Sequence, residues 1–60
     1  MSEVKVAIKL EGYGFSIPRT HVYVDGKFAY QSQNHPEVEK EQIQKLLVLL
    51  QVENTIVEIE

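Results

Sequence analysis

The residues with most to offer chemically are two histidines, at positions 21 and 35, and a short aromatic and basic stretch, Tyr13, Phe15 and Arg19. A hydrolytic or metal centre needs three or more converging groups. No second histidine lies at i+2 or i+4 of either one, and no acid is spaced along the chain to orient His21. His21 therefore reads as a strand residue, and His35, followed by Pro36, as a loop or capping residue. No metal or cofactor is expected. Gly12-Tyr13-Gly14 carries two glycines but neither the GxGxxG spacing nor a following helix to present free backbone donors to phosphate. A turn or bulge is the better reading. Tyr13, Phe15 and Arg19, with His21 and Tyr23 beyond them, have the composition of an interface hot spot. The competing reading is that Phe15 and Ile17 merely continue a buried face.

Composition narrows the classes further. At 60 residues the chain is expected to be a single domain spanning 1–60. Domains of this size bury only about 60% of their unfolded surface, so they are marginally stable without help. There is no cysteine to supply a disulfide, which also removes thiolate catalysis and cysteine-based metal sites and suits a reducing compartment. The net charge of −3 is unevenly placed. Lys5, Lys9, Arg19 and Lys27 slightly outnumber the acids of the first half, whereas Glu37, Glu39, Glu41, Glu53, Glu58 and Glu60 dominate the second. Nucleic-acid binding needs a basic field over several phosphates, and none is present. Val4–Leu10 alternates instead of running apolar, unlike a signal peptide, and the longest apolar run falls far short of a bilayer span. A cytoplasmic protein with no membrane association is expected.

The elements that must position these residues are legible in the periodicity. Val4, Val6, Ile8 and Leu10 alternate with polar or small residues, as in a strand with one buried face. Phe15-Ser16-Ile17 resumes the alternation until Pro18 interrupts it. A second strand runs from about Thr20 to Val24 and a third from Lys27 to about Ser32. Between them, Asp25-Gly26 favours a two-residue type I′ hairpin, because both positions need positive φ. That loop sets Tyr23 opposite Phe28, Val22 opposite Ala29 and His21 opposite Tyr30. One face then carries His21, Tyr23, Phe28 and Tyr30, and its large apolar area makes it the expected core face. The reverse assignment would leave an aromatic face with a histidine on the surface, where it would be a binding site.

Asn34-His35-Pro36-Glu37 reads as a helix start, with Asn34 or His35 capping, proline in the first turn and Glu37 closing a box with Asn34. The acids Glu37, Glu39 and Glu41 suit that end of the helix dipole. At 100° per residue, Ile43, Leu46, Leu47 and Leu50 form a sheet-facing stripe, while Val48, Leu49 and Val52 fall roughly opposite, with Val38 before them. Asn54 is the expected left-handed residue after the helix, and Thr55–Ile59 a last strand. Strand, strand, strand, helix, strand implies an α+β domain with a mostly antiparallel four-stranded sheet of order 3-2-1-4 and one helix on one face. One sheet cannot cover two sides of a helix, so Val48, Leu49 and Val52 are expected at a homodimer or higher homo-oligomer interface. The functional expectation is a non-enzymatic, self-associating binding protein that regulates or inhibits another protein, in the manner of antitoxin-like or viral inhibitory proteins. The alternative is a binder or sequesterer of a small ligand or nucleotide, through the aromatic face or an oligomer interface.

Overall fold

The computed structural model describes residues 3–12, 14, 15 and 17–60. Among these, β1 (Val4–Glu11), β2 (Arg19–Val24) and β3 (Lys27–Ser32) precede the helix α1 (Pro36–Leu49) and the strand β4 (Thr55–Ile59). The sheet order is β3-β2-β1-β4, antiparallel except for the β1–β4 pair, which α1 makes parallel by crossing over. Order and architecture are those expected from the sequence.

The turn joining β2 to β3 is built as its residues require: Asp25 has φ 50° and Gly26 φ 82°. Asp25 also ties the hairpin tip to β1, donating its N–H to the Lys5 carbonyl while its Oδ1 accepts from the Lys5 N–H. Val24 pairs with Lys27 and Tyr23 with Phe28, as the two-residue loop dictates. Beyond that point the register departs from expectation. A bulge at Ala29 places Val22 opposite Tyr30 and His21 opposite Gln31. Because side chains alternate faces, one extra residue sends Tyr30 to the opposite side of the sheet from Phe28.

The helix-covered face takes Val6 and Ile8 of β1, Thr20 and Val22 of β2 and Val57 of β4. Val6, Ile8 and Val22 form the buried cluster, against which Ile43 and Val57 pack. The expectation of a buried aromatic face is therefore overturned: Val22 is buried, while Tyr23 and Phe28 lie on the uncovered side with His21. The β1–β2 pairing explains this, since Ile8↔Val22 and Val6↔Val24 align small aliphatic groups that fit beneath a helix.

α1 turns the expected side toward the sheet, but only half of the apolar stripe is covered. Ile43 and Leu47 turn inward with Pro36 and Glu39, whereas Leu46, and Leu50 just past the end of α1, are 57% and 70% exposed. Glu39 anchors the inward side. Its carboxylate accepts hydrogen bonds from the Tyr30 hydroxyl, the Ser32 hydroxyl and the Asn34 amide, and it is buried. The N-cap is His35 with no side-chain cap bond, so Asn34 serves Glu39 and not a box with Glu37. At the other end, Gln51 at φ 58°, not Asn54, is the left-handed residue. The Val52 N–H reaches the Leu47 carbonyl and the Gln51 N–H the Val48 carbonyl, the paired bonds of a Schellman stop.

Candidate functional site

Two surfaces carry more apolar or aromatic character than a solvated surface needs. The first is the outer side of α1. Val38, Glu41, Lys45, Val48 and Leu49 occupy the side opposite Pro36, Ile43 and Leu47 by their 100° steps. Val48 and Leu49 are 76% and 77% exposed, and with Glu41, Gln44 and Lys45 they line a shallow apolar depression. Val52, expected to join them, is exposed as well and lines a neighbouring depression with Leu47 and Val48. The Schellman stop folds it back toward the helix.

The second surface is the uncovered face of the sheet. The rings of His21 and Tyr23 each meet Phe28 edge-on, with centroids 5.8 Å apart. The Tyr23 hydroxyl donates to Glu11 Oε1 at 2.7 Å, and Lys9 Nζ stands 5.1 Å from the centre of the Tyr23 ring. His21 Nδ1 is 3.9 Å from the same Glu11 oxygen, too long for a hydrogen bond, and is buried with no hydrogen-bond partner among the described residues. Glu11 is thus the acid that sequence spacing did not place beside His21. The two meet because β1 and β2 pair with Glu11 opposite Arg19 and Lys9 opposite His21. Ala7, opposite Tyr23, forms the floor of a shallow groove whose walls include Lys5, Lys9 and Glu11. This is the chemistry of stacking and charge contact: flat rings, a cation over one of them and a carboxylate at the rim.

The remaining sequence candidates separate. Tyr13 lies outside the described residues. Phe15 is fully exposed and Ile17 largely so, which excludes their continuing the buried face. Arg19 lines a depression with Leu10, Ile17, Ser32, Asn34 and His35 at the end of the sheet where α1 begins. His21 and Tyr23 are brought together with Phe28, a residue named in the sequence only as their neighbour.

The Tyr30–Ser32–Asn34–Glu39 cluster is the most polar interior feature. Hydrogen bonding from Tyr30 first, then from Asn34 and Ser32, holds the Glu39 carboxyl below the usual range against the opposing effect of burial. Burial, and then the Glu39 carboxylate, push the Tyr30 hydroxyl up to about 12. The Tyr30 and Ser32 hydroxyls and the Asn34 amide all donate to Glu39, joining β3 and the residues after it to α1, so the cluster is a structural tie. Among the described residues, no helix is long and apolar enough to cross a membrane.

No family model matches this sequence, and comparison with curated proteins and with solved structures returns no significant match. The functional reading rests on the two surfaces.

Proposed function

We propose that this protein is a non-enzymatic, self-associating binding protein that regulates or inhibits another protein by contact, in the cytoplasm. The observation that carries the reading is the exposure of Val48 and Leu49 on the side of α1 that the sheet cannot reach. Burying such a side chain contributes roughly 1.5–3 kcal/mol, a large share of the about 5 kcal/mol available to a small domain. Self-association recovers that term twice across a two-fold axis. Pairing through α1 would sandwich the helices between two sheets. Both aromatic faces would then point outward, giving a bivalent binder whose two contacts reinforce each other. Analytical ultracentrifugation tests the first half: wild type should sediment as a dimer at micromolar concentration and Leu49→Lys as a folded monomer.

A second reading is favoured by a specific observation, the surface position of His21, Tyr23 and Phe28. Flat rings beside Lys9 would suit a nucleobase or another planar ligand. A ligand retained through purification would absorb near 260 nm, and Phe28→Ala would release it. A ligand-free preparation that captures a protein partner through the same face would favour the first reading.

A further inference from the structure

The outer side of α1 has a pattern that specifies how a second copy would meet it. Glu41 and Lys45 stand two residues on either side of position 43, and Val38 and Val48 stand five residues on either side. All four are exposed and share the side opposite the sheet-facing residues. Rotating α1 by 180° about an axis through position 43 therefore exchanges acid with base and valine with valine. Antiparallel packing of two such helices sets Glu41 of each copy toward Lys45 of the other and Val38 toward Val48. Parallel packing in register would instead set Glu41 against Glu41 and Lys45 against Lys45. Neither Glu41 nor Lys45 makes an ion pair within 4.0 Å inside the chain among the described residues, so both charges are available.

Resting on the self-association reading above, we propose that the protein forms an antiparallel two-fold dimer through α1, centred on position 43. A second copy is the occupant because Glu41 with Lys45, and Val38 with Val48, complement themselves about position 43; Leu49, whose mate across the axis is Glu37, lies at the edge of the contact. The valines supply the buried contact and the long Glu41 and Lys45 side chains bridge the flanks, fixing direction more than strength.

The test combines charge reversal with cross-linking. Glu41→Lys places two lysine pairs across the axis and Lys45→Glu two glutamate pairs. Each should weaken the dimer about tenfold or more, the order expected when two partly exposed ion pairs become repulsive. The double variant Glu41→Lys/Lys45→Glu, and an equimolar mixture of the two single variants, should recover dimerisation. Since the chain has no cysteine of its own, a mixture of Val38→Cys and Val48→Cys proteins should oxidise to the mixed dimer in preference to either homodimer. Circular dichroism confirms that each variant is folded. If wild type dimerises but the single charge variants dimerise equally well, or Val48→Cys cross-links chiefly to itself, the antiparallel register is overturned while self-association stands. If wild type stays monomeric at 100-fold the concentration first tested, both fall together.

Discussion

Replacing Glu39 by alanine should come close to unfolding the domain, although Glu39 belongs to no apolar core. Its carboxylate accepts from Tyr30, Ser32 and Asn34 at a position only 6% exposed. Hydrogen bonds to a charged group contribute about 1.5–3 kcal/mol each when buried. Tyr30 and Asn34 are partly open to water, which would re-solvate their donors after truncation. Taking the low end of about 1.5 kcal/mol for Ser32 and about half of that for each of the other two, the loss is about 3 kcal/mol, against a domain stability of about 5 kcal/mol. The melting temperature should fall by roughly 12–24 °C at 4–8 °C per kcal/mol for a domain this small. Urea denaturation followed by circular dichroism measures it, at one fixed protein concentration because dimerisation contributes to apparent stability. Glu39→Gln keeps an accepting oxygen and should lose about half as much. A Glu39→Ala protein within about 0.5 kcal/mol of wild type, the range of ordinary surface substitutions, would refute the assignment of Glu39 as the tie between β3 and α1.

Three further outcomes are expected. The Glu39 carboxyl is depressed in the folded state, so its stabilisation is complete above the ordinary glutamate pKa of about 4.3 and lost as pH falls through the lower folded value. The Tyr30 hydroxyl is raised, so its contribution is complete below about pH 10 and lost as pH climbs toward 12. Stability profiles of Glu39→Gln and Tyr30→Phe should therefore flatten at the acid and alkaline ends respectively, and unchanged profiles would contradict both assignments. Gln51 holds φ 58° at the helix stop, where glycine carries no Cβ penalty. Gln51→Gly should raise stability by about 0.5–1 kcal/mol, and a loss in thermal melting would count against the Schellman geometry. Gly26→Val forces a β-branched residue to φ 82° and should cost more than about 1 kcal/mol; equal stability would mean that the turn is not of this type.

What the sequence disclosed and what it hid have separate physical causes. Asp25-Gly26 fixes a hairpin because few residue pairs accept positive φ at consecutive positions, and the alternation of Val4 to Leu10 needs only one buried face. Both are local demands. The face of the hairpin that is buried was hidden, because it depends on the bulge at Ala29 and on the β1–β2 register. The phase of α1 is legible in Ile43 and Leu47, but the contact that anchors it is not, because it is polar: Glu39 reaching β3. Glu37, Glu39 and Glu41 look interchangeable as first-turn acids, but only Glu39 points inward. Of the candidate residues, His21 and Tyr23 were found but without their shared acid, since Glu11 meets them only across paired strands.

The surplus apolar side of α1 is legible in Leu46-Leu47-Val48-Leu49-Leu50, and it calls for a second copy to cover it. Sedimentation equilibrium of wild type and Leu49→Lys across the micromolar range tests it most directly. Wild type should fit twice the chain mass of 6.9 kDa, and Leu49→Lys should fit the single mass with unchanged circular dichroism. A wild-type protein that remains a folded 6.9 kDa particle throughout that range would contradict the account.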